Sequence, residues 1–417
     1  MKQRSVLAGF PLLLAFTAPL AAQEPDSALA ARVQHLEALV AILQQQMADQ
    51  ASVGVTTRSG LQLELSGMVL VNAFFNNAKV NSSEDPLTVS IPDAPGGLPV
   101  SHVGATARQT RLLLDVFDPE VLGAQFTGEL DMDFYGGQLA GGRYWPLIRM
   151  RRFRADLTWT NAWIMVGEEV PPISELNPSS VAMIGFPEFS GSGNLWIWVP
   201  QVRVGVGAGQ ALKVGIEGSL LAPNDNTTQG VFFTQPDRAE RSRRPFVEGR
   251  TLIRWSGSSE GEISLGGHYG WIAVTADSLV VSRAVAAAAR FTLGPRVEIR
   301  AEGFVGQALG VLGGGGVAQS LGPADQPVRT RGGWAQLNLH PAADWEWGGA
   351  LGFDNPDDAD VNPATGRLRN VVWEGHAIWT PGPLLLGVTF RHLATDYPGT
   401  VGRRVANHVN VATGFTF

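Results

Sequence analysis

The sequence predicts an all-β protein, a transmembrane antiparallel up-and-down β-barrel of sixteen strands, preceded by a short N-terminal coiled-coil helix. Three observations predict it. Apolar and polar side chains alternate along many segments, the connections between those segments alternate in length, and no segment after the N-terminal one approaches the about 20 apolar residues of a membrane helix. In a soluble sandwich the alternation alone would mark half-buried strands, but nothing there would sort the connections by length.

The clearest alternation is in residues 403–417. Val405, Val409, Val411, Phe415 and Phe417 share one side, and mostly small or polar residues occupy the other. A strand between lipid and water has this pattern. We therefore expect residues 403–417 to be the last strand and to pair with the strand that starts near Leu61.

The remaining strands follow from the same reading. Short connections carry turn chemistry, as at Asp118-Pro119, Gly294-Pro295 and Pro381-Gly382, whereas most of the others are long and rich in Pro, Gly, Asn or Asp. The predicted strands are 61–76, 106–118, 123–136, 147–160, 161–169, 194–206, 211–222, 246–256, 261–275, 279–293, 296–308, 329–340, 344–354, 368–380, 383–394 and 403–417.

The N-terminal region divides into two predicted segments. Residues 1–22 have the basic start, apolar stretch and Ala21-Ala22 end of a secretory signal peptide. Residues 23–60 form a predicted periplasmic helix and linker before the barrel of residues 61–417. Apolar residues spaced by four and three predict a trimerising coiled coil, although the helix could instead fold onto its own barrel: Leu29, Val33, Leu36, Val40, Leu43 and Met47.

Composition narrows the possible functions. The net charge of −7 argues against nucleic acid as a partner, and the chain has no cysteine for a lipid anchor or a disulfide. Serine-hydrolase, zinc-protease and phosphate-loop motifs are missing from the sequence, so we expect neither enzymatic activity nor a bound metal or cofactor.

Arginine dominates the predicted interior face of the strands. A charge on the lipid face near midplane would cost ~2–4 kcal/mol, so we expect these arginines to line the pore. An arginine ladder that is only partly paired would attract anionic solutes. Alternatively, acids such as Glu129 and Asp131 could pair with the arginines and only stiffen the wall. The predicted pore arginines are Arg111, Arg152, Arg154, Arg203, Arg250, Arg254, Arg290, Arg300 and Arg391.

The third long connection, Val170 to Gly193, is too apolar for a loop in water. We expect it to fold into the lumen as a constriction loop, with Glu175, Glu188, Phe186 and Phe189 near the opening. Packing against a neighbouring subunit is the alternative.

Tryptophans near predicted strand ends indicate aromatic girdles at the membrane interfaces, with ordinary burial as the alternative. They are Trp145, Trp159, Trp163, Trp196, Trp198, Trp255, Trp345, Trp347, Trp373 and Trp379.

Three stretches resemble the DcaP-like trimeric outer-membrane porins, within the general sixteen-strand porin superfamily: LSGMVLVNAFF at 65–75, the hairpin at 107–137 that ends in DFYGG, and residues 149–169. The resemblance implies a homotrimeric channel in the outer membrane for small anionic molecules such as dicarboxylates. It also makes Arg108 a pore residue and Phe417 the recognition point for the barrel insertion machinery. Glu168 and Glu169, at the start of the third loop, depart from the family pattern.

Two further hypotheses remain open at this point. One is a structural or adhesive barrel with a plugged lumen and partner-binding loops. The other, weaker one is a membrane-embedded hydrolase.

Overall fold

A computed structural model describes residues 55–56, 61–93, 98–136, 146–225, 235–257 and 259–417. The chain divides into two units, Met1–Val55 and Thr56–Phe417, and all described residues except Val55 belong to the second. The predicted signal peptide and the predicted coiled coil from Leu29 to Met47 lie outside the described residues. None of the described helices is both long and apolar enough to cross a membrane.

Residues 62–416 form one closed antiparallel sheet of sixteen strands, as the sequence predicted, when the two segments of the second strand are counted together. Each strand pairs with the next along the chain. The strands are β1 (Gln62–Asn76), β2 (His102–Thr106 and Arg111–Val121), β3 (Ala124–Gly136), β4 (Leu147–Thr158), β5 (Ala162–Glu169), β6 (Val199–Ala208), β7 (Leu212–Leu221), β8 (Phe246–Trp255), β9 (Gly261–Ala273), β10 (Leu279–Thr292), β11 (Val297–Gln307), β12 (Arg329–Ala342), β13 (Trp345–Pro356), β14 (Arg369–Trp379), β15 (Leu384–Asp396) and β16 (Arg403–Thr416).

The barrel closes where β16 pairs with β1, with Val409 opposite Phe75. Phe417 extends this pairing, because its backbone N–H and C=O each bond to Gly67 at 3.1 Å. A Cβ at Gly67 would lie 2.3 Å from the carbonyl oxygen of Arg111, so only glycine fits at this close approach. The predicted pairing of the last strand with the first is confirmed.

The connections are sorted between the two ends of the barrel as predicted. Seven turns of two to five residues join the strands at one end, and eight loops join them at the other. We name four of these loops L1 (77–101), L3 (170–198), L4 (222–245) and L6 (308–328). The fifth and eighth loops, 274–278 and 397–402, are short, with five and six residues. Short helices lie at Pro172–Ser174, Glu240–Ser242, Gly294–Arg296, Leu309–Leu312 and Gly315–Ala318.

The outer face of the barrel is apolar and exposed. Along β6 and β7, six outward side chains, from Val202 to Ile216, keep 47–57% of their surface accessible. A monomer in water rarely exposes a continuous apolar area of this size, whereas a barrel in lipid requires one.

Two strands differ from their predicted bounds by more than two residues. Residues 107–110 interrupt β2, and there the Thr110 hydroxyl accepts from Leu70 N–H (3.1 Å) and donates to Leu70 C=O (3.2 Å), which replaces the missing strand pairing. The strand predicted at 194–206 begins only at Val199. Residues 194–198 belong to L3, and the N–H groups of Trp196 and Ile197 both donate to the carbonyl of Leu312 in L6.

Candidate functional site: the barrel interior

The inner face of β2–β5 carries arginines that are matched by acids. Asp131 is fully buried and accepts charge-assisted contacts from Arg111 at 2.6 Å and Arg152 at 3.2 Å. Asp133, also fully buried, contacts Arg149 at 2.6 Å. We call β2–β5 with the adjoining residues of L1 the ion-paired wall. Its arginines are Arg108, Arg111, Arg149, Arg151, Arg152 and Arg154, and its acids are Glu84, Asp85, Glu129, Asp131, Asp133, Asp156 and Glu169.

The alternation of apolar and polar residues did not predict that Arg149 and Arg151 point into the barrel. A β-bulge in β4 places Met150 opposite Met132 but Arg152 opposite Asp131, so the neighbouring residues Arg151 and Arg152 both point inward. The Arg151 guanidinium also lies 4.8 Å from the ring centre of Trp198. Outward residues are therefore even-numbered before the bulge and odd-numbered after it.

Each of the ten arginines predicted to line the pore has a carboxylate partner. The expectation of a partly unpaired ladder is therefore wrong for these ten, because adjacent strands, L1 and L3 supply acids that offset the cost of taking a guanidinium out of water. The contacts are Arg108–Glu84, Arg111–Asp131, Arg152–Glu169, Arg154–Asp156, Arg203–Glu175, Arg250–Glu217, Arg254–Glu262, Arg290–Glu298, Arg300–Glu298 and Arg391–Glu188.

L3 crosses the inside of the barrel and bonds to strands around its circumference. Asn72 in β1 donates to Val181 C=O at 2.7 Å, and Ser174 donates to Glu302 in β11 at 2.5 Å. The side chain of Gln336 in β12 bonds to both backbone groups of Ser179 at 2.7 and 2.8 Å. Further bonds reach β4, β6, β8, β14 and β15.

The two acids of L3 each contact arginine. Glu175 lies between Arg203 and Arg250, and Glu188 contacts Arg391 at 2.5 Å. Arg391 is 0% exposed, and Arg203 and Arg250 are also buried. L3 covers these three arginines, so they do not face open lumen as predicted. Burial raises the pKa of Glu188 to about 8.

Aromatic residues of L3 anchor the loop. Phe189 is fully buried and stacks on Trp334 at 6.3 Å, so the prediction that it lies at the opening is wrong. Phe186 packs edge-on against Tyr135 (5.9 Å) and Trp196 (5.2 Å).

The predicted tryptophan girdle is correct only in part. Trp196 and Trp198 belong to L3, and Trp163 packs inside against Gly205, where a Cβ would lie 2.1 Å from its ring. Trp345 and Trp379, by contrast, stack at 5.6 Å beside a short turn, and Trp347 next to them is 51% exposed on the outer face. Trp145 lies outside the described residues.

A different interior surface lies on β7–β11. The register places Lys213, Arg254, Glu262, Arg290 and Arg300 side by side across five strands. The side chains of Arg254 and Arg290 are 45% and 47% exposed, and a cavity of about 410 Å³ opens beside them. We call this surface the basic wall. Its four cations face two carboxylates, Glu262 and Glu298, with Glu260 at the turn below.

One buried trio has the spacing of a serine–histidine–acid relay. His268 lies 2.8 Å from Glu248 and 3.1 Å from the Ser282 hydroxyl. All three side chains are buried, and Ser282 donates to the carbonyl of Ala308 in L6. Glu248 also accepts from Ile173 N–H of L3 at 3.2 Å. The trio thus ties two loops to the wall and exposes no nucleophile.

A closed sixteen-strand barrel with an inserted third loop and an apolar belt defines the porin class of fold. No family model matches the sequence, and no curated protein matches it. Among solved structures, the chain is similar to the outer-membrane channel DcaP of Acinetobacter baumannii, at 18% identity over 87% of this chain and 99% of that chain, with a TM-score of 0.66.

Other channels are more distant. OmpF of Salmonella typhi, in complex with daunomycin, is 8% identical over 87% of this chain and 100% of that chain, with a TM-score of 0.54. OprB of Pseudomonas putida is 12% identical over 85% and 94%, with a TM-score of 0.51. The resemblance to DcaP-like porins is thus confirmed at the level of the fold.

Proposed function

We propose that this chain is a passive diffusion channel of a bacterial outer membrane, which passes small hydrophilic solutes and prefers anions such as organic carboxylates. The basic wall carries the proposal. Its cations outnumber its carboxylates, and two of its arginines are nearly half exposed beside an open cavity. Exposed guanidinium groups attract carboxylates and keep their charge at any physiological pH.

L3 supports the same proposal as a constriction. Its bonds to opposite sides of the barrel hold it across the lumen, so a solute has to pass beside it. On this proposal the ion-paired wall contributes little selectivity, because its acids match its arginines. We propose no enzymatic activity.

One set of observations favours a second candidate, a structural or adhesive barrel without a continuous path. L1 and L6 also bond inward: Pro86 C=O accepts from Arg391 at 2.8 Å, and Val317 N–H donates to Asp354 at 2.7 Å. Three loops held in this way would leave little free space.

For assembly, we propose that residues 1–22 direct export and that the coiled coil of residues 29–47 lies in the periplasm and helps to form a homotrimer. The spacing of its apolar residues supports this, and the solved porins that the chain resembles include a trimer form. Recognition of Phe417 by the insertion machinery is part of the same proposal.

Single-channel recording tests these proposals. Purified full-length protein in planar bilayers should give conductance steps, and a reversal potential in a KCl gradient should show chloride preference. A variant lacking residues 24–52 should keep its conductance but form a less stable oligomer. Bilayers without conductance steps would favour the structural or adhesive barrel. A reversal potential that shows potassium preference would contradict the role of the basic wall.

A further inference from the structure

L6 packs inside the barrel as part of its core. Val311 and Leu312 are each 1% exposed, and they share one apolar cluster with Ile197 of L3. The indole N–H of Trp196, also in L3, donates to the carbonyl of Gly313 at 2.8 Å. The carbonyl of Leu312 accepts the two further L3 bonds described above. L6 therefore helps to fix L3, the loop beside which a solute has to pass.

A run of four glycines, residues 313–316, allows this close contact between L6 and L3. A Cβ at Gly314 would lie 2.0 Å from the carbonyl oxygen of Asn194 in L3. A Cβ at Gly315 would lie 2.4 Å from the Cβ of Leu309. Neither position has room for a side chain, so any larger residue there would push L6 away from L3.

The inward position of L6 strains its backbone. Of the seven described non-glycine residues with positive φ, four lie in this loop: Ala308, Val317, Ala318 and Asp325. Gly316, Val317 and Ala318 follow one another with φ +66°, +50° and +60°. A left-handed run of this kind is rare, above all with a β-branched residue such as Val317, because the side chains clash with the backbone. The inward loop therefore persists only where other contacts offset this strain.

Two charged side chains fasten the strained turn. The Asp354 carboxylate, fully buried in β13, accepts from Val317 N–H at 2.7 Å and from the Thr330 hydroxyl at 2.5 Å. The Arg367 guanidinium donates to Val317 C=O at 3.1 Å, and the Gln319 side chain bonds to both backbone groups of Arg367. Hydrogen bonds to charged groups are the stronger ones. Both backbone groups of Val317 are thus held by charged side chains outside L6.

We propose that L6 is a lid with two positions, which Asp354 latches in the inward one. When the latch opens, the strained turn relaxes, L6 leaves the barrel interior, and L3 loses the carbonyls to which it bonds. The sheet stays closed during this change, because Gln307 and Arg329 remain paired at the two ends of the loop. The effect on transport rests on the proposed channel: the open lid widens the path beside L3.

Cysteine labelling tests the lid, because the chain has no cysteine of its own. V311C places a thiol that is buried while L6 is inward, so its rate of reaction with a maleimide, in full-length protein in detergent, reports how often L6 opens. D354N removes the charge of the latch, and G314A adds a Cβ that collides with L3. Each should speed the labelling of V311C at least about fivefold. A318G relieves strain at an exposed side chain, and added to G314A it should slow labelling about twofold.

Two variants serve as controls. G303A adds a Cβ whose nearest neighbour lies 3.6 Å away, and D396N removes a carboxylate at the same end of the barrel, which bonds to Arg369 and Arg403. Both should label like V311C alone. The lid is contradicted if D354N and G314A label no faster than V311C, if A318G does not slow G314A, or if the controls speed labelling as much as D354N. Where D354N does not fold, G314A with and without A318G decides.

Conductance separates a failure of the lid from a failure of the channel. In planar bilayers, D354N should show a second, larger conductance level that is rare in wild type. Unchanged labelling together with normal conductance steps would overturn only the lid. Faster labelling of D354N, without conductance steps from any variant, would support the lid and contradict only the channel. Faster labelling with the same single conductance level as wild type would overturn the link between L6 and the path beside L3.

Discussion

The ion-paired wall and the basic wall use the same residue type for different purposes. In the ion-paired wall, Asp131 is 0% exposed and contacts several arginines. In the basic wall, Arg254 and Arg290 are 45% and 47% exposed, and each has one principal acid. The number of arginines in a barrel therefore does not measure its attraction for anions. What matters is how many cations remain accessible after the acids are counted.

The largest expected difference between the walls is in stability. Asp131→Asn removes the carboxylate that three inward arginines share, and we expect a loss of about 3–5 kcal/mol because a buried charge loses its partner. Glu262→Gln makes the same chemical change beside half-exposed Arg254, and should cost about 1 kcal/mol or less. Urea unfolding in lipid vesicles, followed by tryptophan fluorescence, measures both. If the two variants lost the same free energy of unfolding, the arginines of the two walls would not differ in how strongly they depend on their acids.

The next effect concerns ion selectivity. R254Q/R290Q should lower the chloride-to-potassium permeability ratio roughly twofold or more, because it removes two accessible charges. R154Q/D156N removes one ion pair of the other wall, whose atoms lie 3.1 Å apart, and should leave the ratio unchanged. Reversal potentials in a KCl gradient provide the comparison. If the second variant changes the ratio as much as the first, the paired arginines also act on passing ions.

The last effect is a pH dependence where L1 meets the ion-paired wall, and it is gradual across the pH range. Burial raises the pKa of Asp85 to about 7, with a further contribution from Glu84. The folded protein then binds more protons than the unfolded chain between about pH 4 and 7, so the stability contributed by Asp85 decreases as pH rises through that range, by roughly 1 kcal/mol per unit. Melting temperatures in detergent at pH 5, 6, 7 and 8 should show this slope.

Asp85→Asn should make the slope shallower by roughly 1 kcal/mol per pH unit below pH 7, since the amide does not titrate, whereas Glu188, whose pKa is also raised by burial, keeps its own contribution. Asp277→Asn, at an exposed aspartate in the short loop 274–278, serves as the control and should leave the slope unchanged. A slope that is the same in Asp85→Asn and in wild type would contradict a contribution from Asp85.

Most of the barrel could be predicted from sequence because alternation and turn chemistry are local. Every strand from β8 to β16 begins and ends within two residues of its predicted bounds. The exceptions have local causes. Residues 194–198 alternate like a strand, but the N–H groups of Trp196 and Ile197 donate to L6 and not to a neighbouring strand. The bulge in β4 reverses the alternation, which hid Arg149 and Arg151.

The interior could be predicted less well, because pairing joins residues far apart in the sequence. Arg391 meets Glu188 across about 200 positions, and Arg250 meets Glu175 across 75. Neither spacing has a sequence signature. The sequence showed that many arginines point inward. It did not show how many of these arginines L3 covers, because that number depends on the path of the loop through the barrel.

The many anchors of L3 have a mechanical consequence. A loop bonded to β1 at Asn72, to β11 at Glu302 and to β14 at Asn370 acts as a brace across the tube. Lateral pressure from the bilayer on one side is then transmitted through the loop to the opposite side. We therefore expect the cross-section of the barrel to stay constant in membranes of different tension.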